Sequence, residues 1–294
     1  MLSTYIKLLR VPQWIKNVFI FVPLIFAKHL FHYEYFITTV IGFIAFCILS
    51  SIVYIINDIA DIDADKKHPV KKSRPIASGA ITVKNALMIA VLLVLIEIAM
   101  LFLLNWQFSI MALTYFVINL LYSLSLKHIV LLDIFSIAAG FMLRIGAGGF
   151  VINVEISSWL ILTTMFISLF LAVMKRRSEL ELFYTQNQNT TRKVLEYYSI
   201  GFIDQMATVA SAGVIICYAL YTVSPRTVTI FNTENLIYTT PFVVFGIFRY
   251  MYLVINDKKG EYTTEIMLTD IPMIINIVLY GAFVVLIVYH IFGL

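Results

Sequence analysis

Long apolar runs separated by short polar segments dominate the hydropathy pattern of this chain. Most runs are long enough to cross the roughly 30 Å hydrocarbon core of a bilayer as a helix, and few charges interrupt them. The pattern therefore predicts an all-α, polytopic integral membrane protein. We expect nine spans, of which the first is short: 17–32, 35–56, 80–104, 108–126, 130–151, 157–175, 201–224, 237–255 and 272–292.

Composition agrees with this class, because 61% of the residues are hydrophobic and only 13% are charged. Mean hydropathy is +0.92. Cys47 and Cys217 each lie in an apolar run, which argues against a disulfide framework or a zinc site. The basic residues cap predicted spans and form no extended stripe, so we expect no nucleic-acid binding. We expect one transmembrane domain over residues 1–294, without a cleavable signal segment.

The distribution of positive charge predicts the orientation of the chain. Residues 1–16 combine Lys7, Arg10 and Lys16 with Trp14, which is typical of a helix at the headgroup level. If the spans alternate, most of the 21 Lys and Arg residues fall on the side that holds the N-terminus. The positive-inside rule places that side in the cytoplasm. We therefore expect a multi-pass protein of the inner or plasma membrane, with polar segments 57–79 and 175–200 both cytoplasmic.

The most distinctive polar segment, residues 57–79, reads NDIADIDADKKHPVKKSRPIASG. If its start is helical, 100° per residue places Asp58, Asp61 and Asp65 on one face and Asp63 on roughly the opposite side. Three neighbouring carboxylates require a cation. Mg²⁺ suits such oxygen ligands and prefers one or two carboxylates together with substrate phosphates. The simpler alternative is a solvated acidic and basic loop that enforces only topology.

A second polar segment, KRRSELEL, begins at Lys175 at the end of the sixth span. Its three cations fit a clamp for a phosphate, since Arg gives bidentate contacts and Lys a point charge. We favour this interpretation because the segment is expected on the same membrane face as the acidic one. The alternatives are pairing with Glu179 and Glu181 along a helix surface, which is worth only tenths of a kcal/mol, or a purely topological role.

Several further charged residues lie within or beside apolar runs, among them Arg144, Asp204 and Glu97, the last of which we interpret as structural. A charge in hydrocarbon is costly, so an intramembrane ionisable residue is a functional candidate. Arg144, in GFMLRIGAGG, either pairs with a carboxylate to join helices or binds an anion, and the sequence leaves both readings open. Asp204, at the start of the seventh span, is interpreted as structural.

The pattern N-D-x-x-D-x-x-x-D at residues 57–65 resembles the first aspartate-rich motif of the UbiA superfamily of intramembrane transferases. That resemblance implies nine transmembrane helices around a central cavity and a diphosphate bound through Mg²⁺. Most members carry a second motif, DxxxD, and prenylate an aromatic acceptor, whereas the corresponding segment here is KRRSEL. This basic version, with VPQWIKN at 11–17 and the run over 68–79, resembles the decaprenyl-phosphate phosphoribosyltransferase branch.

For that branch, the resemblance implies transfer of a 5-phosphoribosyl group from 5-phosphoribosyl 1-diphosphate to a membrane polyprenyl phosphate of the decaprenyl type. Diphosphate is released, and the product serves cell-envelope polysaccharide synthesis. The implied Mg²⁺ ligands are Asp58, Asp61 and Asp65. The implied catalytic residues are Asp58, Asp61, Lys71 and Arg74. The implied substrate-binding residues are Lys16, Asn17, Asn57, Arg144, Lys175, Arg176 and Arg177. A homo-oligomer is left open.

Two other functions are compatible with parts of this pattern. A UbiA-type aromatic polyprenyltransferase of quinone or related lipid synthesis is the first, and the missing DxxxD argues against it. A transporter with a cytoplasmic ion or phosphate gate is the second. Transporters more often show inverted repeats and broken helix pairs near the midplane, and the sequence has no convincing internal repeat.

Overall fold

The computed structural model describes residues 2–67, 71–185, 193–256 and 269–289, and the regular structure of these residues is helical. The α-helices of this part of the chain are α1 (Leu2–Leu8), α2 (Val22–Phe26), α3 (Tyr33–Ala60), α4 (Ile62–Lys67), α5 (Val83–Leu101), α6 (Trp106–Leu124), α7 (Leu132–Val151), α8 (Ser158–Thr185), α9 (Ile200–Val223), α10 (Pro225–Phe231), α11 (Thr240–Ile255) and α12 (Ile271–Val288). Short 3-10 helices cover Val11–Phe21, Lys71–Ser73, Leu126–His128, Lys193–Tyr197 and Asn235–Thr239.

Eight helices of the described chain are long and apolar enough to cross a membrane: α3, α5, α6, α7, α8, α9, α11 with the 3-10 turn before it, and α12. They confirm the predicted all-α, polytopic membrane fold. The first predicted span, 17–32, is wrong in its bounds. The apolar helical segment there has the same length but begins and ends six residues earlier, at Val11–Phe26.

The predicted interfacial helix over residues 1–16 also ends earlier than expected. α1 stops at Leu8, and Arg10 adopts the left-handed conformation with φ 51° and ψ 45°. Pro12 lacks a backbone N–H and disfavours the helical conformation in the residue before it. The chain therefore restarts as a 3-10 helix, which carries Lys16 and Asn17.

Several of the membrane helices begin at a side-chain cap. Asn105 accepts a 2.9 Å hydrogen bond from the Phe108 N–H at the start of α6. Asp270 accepts a 3.0 Å bond from the Met273 N–H at the start of α12. Such caps satisfy backbone donors that the helix itself leaves without partners. They explain why these helices start where the apolar pattern predicted them to within a few residues.

The chain divides into two compact units. The first unit contains residues 1–24, 29–127 and 143–155, and the second contains 25–28, 128–142 and 156–294. In the first unit, α3 packs against α5, α6 and the 3-10 helix Val11–Phe21. A Cβ atom on Gly148 would overlap the Ile20 carbonyl, so the absence of a side chain there permits the close approach of the 3-10 helix. The hydrophobic core of the first unit includes Leu24, Phe46, Phe108 and Ala147.

The second unit is built around α8, which packs along α9, while α11 contacts α8, α9 and α12. Its core includes Phe170, Met174, Ile203, Val214 and Tyr250. The expectation of one transferase domain over 1–294 stays a prediction.

Both predicted active-site loops contain more helix than expected. Within 57–79, α3 continues to Ala60 and α4 follows; within 175–200, α8 continues to Thr185. The basic run at 175–177 is therefore the last part of a long helix, because its charged residues are good helix formers and pair with acidic residues one turn later. Residues 68–70 and 186–192 of these predicted loops lie outside the described residues.

Candidate active site

The three predicted metal ligands occupy structurally different positions. Asp58 lies in the last turn of α3, Asp61 follows the end of that helix, and Asp65 lies in α4. Asp61 has φ −96° and ψ 11°, so the helix breaks there. Asp is a preferred residue immediately before a helix start, and α4 begins at the next residue. The predicted single helical face is therefore wrong, although Asp63 is exposed, as expected, while Asp58 and Asp65 are buried.

Asp58 and Asp65 nevertheless converge on one cation. The Arg74 Nη1 atom donates to Asp65 Oδ2 at 2.5 Å and to Asp58 Oδ1 at 3.2 Å. Arg74 follows the 3-10 turn Lys71–Ser73, whose first carbonyl accepts the Arg74 N–H at 2.9 Å. This turn directs the guanidinium between the two carboxylates. The structure thus brings together two of the predicted metal ligands and one predicted catalytic cation.

A second arginine, which the sequence pattern indicates only as part of the interfacial helix, contacts the same carboxylate. Arg10 Nη2 donates to Asp58 Oδ1, and the Arg10 guanidinium lies over the Tyr54 ring at 4.6 Å from its centroid. Arg10 directly precedes the VPQWIKN run. That adjacency was the only signal in the sequence that pointed to Arg10 as a site residue.

Asp61 is held separately. Lys127 Nζ, from the 3-10 turn Leu126–His128, donates to Asp61 Oδ1 at 2.9 Å. No motif in the sequence indicates Lys127 as a site residue. Each of the three aspartates therefore forms an ion pair with a basic side chain from another segment of the first unit.

The arrangement fits a Mg²⁺ site completed by a substrate. Two carboxylate oxygens lie near a single positively charged nitrogen, so a divalent ion in that region would be attracted by both. Within the described residues, no group of three His, Cys, Asp or Glu side chains lies close enough to hold a metal by itself. Mg²⁺ needs no such group, because it commonly binds through one or two carboxylates and completes its octahedron with phosphates and water.

Arg144 forms a buried polar network in the first unit. Its Nε donates to Asn17 Oδ1 at 2.7 Å and its Nη2 to the Tyr115 hydroxyl at 2.8 Å. The guanidinium also lies 4.7 Å from the centre of the Tyr115 ring. Ser50 Oγ donates to the same Asn17 oxygen at 3.4 Å. Asn17, Tyr115 and Ser50 come from three segments, so this network joins the 3-10 helix to α3, α6 and α7.

The remaining predicted site residues of the first unit lie close in sequence to these groups. Lys16 is half-buried in the 3-10 helix, one residue before the fully buried Asn17. Asn57 is half-buried, and its carbonyl accepts the Asp61 N–H at 2.9 Å. Lys71 is half-buried in the turn that precedes Arg74. The substrate-binding roles of Lys16 and Asn57 and the catalytic role of Lys71 stay predictions.

The basic run of the second unit has a different character. Arg176 and Asp133 are both fully buried, and Arg176 Nε donates to Asp133 Oδ2 at 2.5 Å. Arg176 Nη1 also donates to Glu179. Tyr198 donates its hydroxyl to Asp133 Oδ1 at 2.8 Å and accepts the Leu131 N–H at 2.7 Å. Burial raises the pKa of the Tyr198 phenol, which keeps it a donor at neutral pH.

The other two cations of this run are less deeply buried. Arg177 donates to Asp204 at 2.9 Å and to Glu181 at 2.9 Å. The pairing with Glu181 is the helix-surface alternative considered from the sequence, and the bond to Asp204 agrees with its structural interpretation. Lys175 is half-buried. Asp133 and Glu179 thus hold Arg176, Asp204 and Glu181 hold Arg177, and the substrate-binding roles of the three cations stay predictions.

The UbiA prenyltransferase family model matches residues 18–271. The chain belongs to the UbiA prenyltransferase family. This match covers most of both compact units, and it includes the aspartate segment as well as the basic run.

Two relatives carry the same functional name. The chain is 36% identical over 220 residues to the decaprenyl-phosphate phosphoribosyltransferase of Corynebacterium glutamicum, covering 74% of this chain and 66% of that protein. It is 33% identical over 228 residues to the enzyme of that name from Mycolicibacterium smegmatis, covering 76% of this chain and 71% of the relative. The match thus spans about two thirds of the length of these relatives.

Solved structures share the UbiA fold. A UbiA homolog from Archaeoglobus fulgidus bound to GPP and Mg²⁺ matches with a TM-score of 0.73 and 18% identity, over 97% of this chain and 99% of that one. A structure described as digeranylgeranylglyceryl phosphate synthase matches with a TM-score of 0.66 and 18% identity, over 99% of both chains. At this level of identity the comparison shows the fold alone.

Proposed function

We propose that this UbiA protein transfers a 5-phosphoribosyl group from 5-phosphoribosyl 1-diphosphate to a membrane polyprenyl phosphate and releases diphosphate. Similarity to two decaprenyl-phosphate phosphoribosyltransferases supports the proposal. The structural observation that carries it is the convergence of Asp58 and Asp65 on Arg74, since paired carboxylates beside cations suit a metal-bound diphosphate.

Mg²⁺ bound by Asp58 and Asp65, with Asp61 close in sequence, would supply Lewis-acid stabilisation of the leaving diphosphate. In the reaction, the bond from ribose C1 to the diphosphate oxygen breaks, and its electron pair stays on that oxygen. A new bond forms between C1 and an oxygen of the acceptor phosphate. The acceptor is already an anion at neutral pH, so no strong general base is required.

The basic residues of the first unit would stabilise charge that grows on the leaving group. Arg74 and Lys71 come from one turn, and Lys16 comes from the N-terminal 3-10 helix. Cations placed where negative charge develops lower the barrier, because they interact more strongly with the transition state than with the ground state. Arg144 and Asn17 would hold the 3-10 helix that carries Lys16.

The donor carries a 5-phosphate as well as a diphosphate, which is our reason for assigning a role to the basic run of the second unit. Because Arg176 is fully buried against Asp133, we assign it to positioning and give the phosphate contact to Lys175, assisted by Arg177. This division departs from the clamp of three cations expected from the sequence. The assignment still gives the basic KRRSEL segment a substrate-binding role in place of the second DxxxD motif of most UbiA members.

The charge distribution supports a multi-pass protein of the cytoplasmic membrane with a cytoplasmic N-terminus. The polyprenyl tail would then lie among the membrane helices with its phosphate at the cytoplasmic interface. An aromatic polyprenyltransferase is not favoured, because the relatives bear the phosphoribosyltransferase name and the second DxxxD motif is replaced by KRRSEL.

The direct test uses purified protein, Mg²⁺, a polyprenyl phosphate and 5-phosphoribosyl 1-diphosphate labelled in the ribose. We expect the label to enter the lipid fraction together with release of diphosphate, and to stay in the water phase without Mg²⁺. Prenylation of an aromatic acid without phosphoribosyl transfer would instead establish the other UbiA activity. Failure of both reactions would contradict a transferase role.

A further inference from the structure

Arg10 and Lys127, two basic residues outside the predicted site, occupy the carboxylates that the proposed Mg²⁺ site needs. Arg10 donates to Asp58 Oδ1, the same oxygen that accepts from Arg74. Lys127 donates to Asp61 Oδ1 at 2.9 Å. Their side chains are 21% and 14% exposed, so neither is locked in a dry interior.

These cations compete with a metal for the same carboxylates. Mg²⁺ binds carboxylate oxygens at 2.0–2.1 Å, which would bring a guanidinium on Asp58 Oδ1 into strong repulsion with the ion. Binding of the metal therefore favours movement of Arg10 away from Asp58, because the two cations repel each other. The same holds for Lys127 if Asp61 joins the metal site.

A diphosphate gives the displaced cations a new partner. It arrives with several negative charges and many acceptor oxygens, and Arg and Lys bind phosphates through charge-assisted hydrogen bonds. The Arg10 backbone lies at the junction between α1 and the 3-10 helix, and its guanidinium lies over the Tyr54 ring.

We infer that Arg10 and Lys127 are donor-binding residues that exchange partners: they neutralise Asp58 and Asp61 before the donor binds and contact its diphosphate once it is bound with Mg²⁺. The inference rests on the proposed function, because it concerns the same site. It adds two residues to that site and gives them a dual role. Without a cation, Asp58 would be a buried, uncompensated charge, which is costly.

The exchange predicts effects of opposite sign on two binding constants. In Arg10→Ala and Lys127→Ala, Mn²⁺ alone, used as a probe for the Mg²⁺ site, should bind about 3- to 10-fold more tightly, because a competing cation has been removed. Inorganic diphosphate in the presence of saturating Mg²⁺ should bind about 10-fold more weakly, since one charge-assisted bond is lost. Both constants are measured by titration calorimetry on the full chain in detergent, without turnover.

Lys84→Ala is the matched control, because Lys84 is an exposed lysine of the same unit. It removes the same charge and should leave both constants within twofold of the native values. Arg10→Lys should restore most of the diphosphate affinity, which covers the case in which Arg10→Ala folds poorly. A merely structural role would weaken both ligands together, and unchanged constants would place Arg10 and Lys127 outside the site. Either result overturns the inference.

The two proposals fail separately. Opposite shifts in a protein that transfers no phosphoribosyl group would support the exchange and contradict the phosphoribosyltransferase function. Normal phosphoribosyl transfer by the native protein, with shifts of the same sign in the variants, would contradict only the exchange.

Discussion

The acidic cluster of the first unit and the basic run of the second both pair arginines with carboxylates, but they differ in burial. Arg74 and Arg10 are 24% and 21% exposed beside Asp58 and Asp65. Arg176 and Asp133 are 0% exposed. The arginines of the first cluster reach water, so they can leave when another cation replaces them on the buried Asp58 and Asp65, whereas opening the Arg176–Asp133 pair strands a buried charge on both sides. The first arrangement suits ligand exchange, and the second suits a fixed anchor.

This difference revises the interpretation of the KRRSEL run. From the sequence alone, a run of basic residues at the end of a predicted membrane span predicts a phosphate-binding site. In the structure the central arginine, Arg176, donates to Asp133 and to Glu179. Tyr198 donates a further hydrogen bond to Asp133. Charge in a sequence therefore indicates a binding site only where the partners of that charge leave it accessible.

The largest expected effect tests the acidic side of the comparison. Asp58→Ala should reduce Mg²⁺-dependent transfer by several orders of magnitude, because a metal ligand is worth several kcal/mol in the transition state. Asp63→Ala is the control and should be mild, since Asp63 is exposed. Turnover is measured over a Mg²⁺ titration with membrane insertion checked in parallel. Equal damage by the two substitutions would contradict the assignment of the metal to Asp58.

The second prediction tests the buried anchor. Arg176→Ala should lower the free energy of unfolding by roughly 3–5 kcal/mol, because it leaves Asp133 buried without its partner. The matched variant Lys175→Ala should change stability by less than about 1 kcal/mol, because Lys175 is only half-buried. Both are compared by denaturant-induced unfolding in detergent micelles. An Arg176→Ala protein of native stability and raised donor KM would restore the clamp of three cations.

The third prediction separates binding from anchoring within the same run. Lys175→Ala should raise the KM for 5-phosphoribosyl 1-diphosphate by roughly 10- to 150-fold, the value of one charge-assisted bond to a phosphate. The KM for polyprenyl phosphate should hardly change. Ribose 1-diphosphate, which lacks the 5-phosphate, should be a poor donor for the native protein and should lose little further with the variant. Equal losses with both donors would exclude a 5-phosphate contact.

The smallest expected effect concerns Tyr198. Tyr198→Phe removes its bonds to Asp133 and to the Leu131 N–H and should cost roughly 1–2 kcal/mol of stability at pH 7. Because burial raises the Tyr198 pKa, its contribution is present below the ordinary value of 10.0 and is lost as pH rises above it. Unfolding curves at pH 7 and pH 10.5 should therefore differ less for the variant than for the native protein. A variant as pH-sensitive as the native protein would contradict this role.

The sequence by itself determined the class of the fold and the chemistry of its polar segments. Apolar runs identify the membrane helices because a span in hydrocarbon must satisfy its own backbone and avoid charge, and both requirements act locally. The aspartate segment, with Lys71 and Arg74 behind it, identified a candidate metal and phosphate region from residue types alone. Only the tertiary structure decided which cation contacts which carboxylate. Arg10 is 48 residues from Asp58, Lys127 is 66 from Asp61, and Arg176 is 43 from Asp133. Such pairings depend on how helices pack, since no local period relates residues so far apart, and packing also sets the burial that separates an exchangeable ion pair from a fixed one.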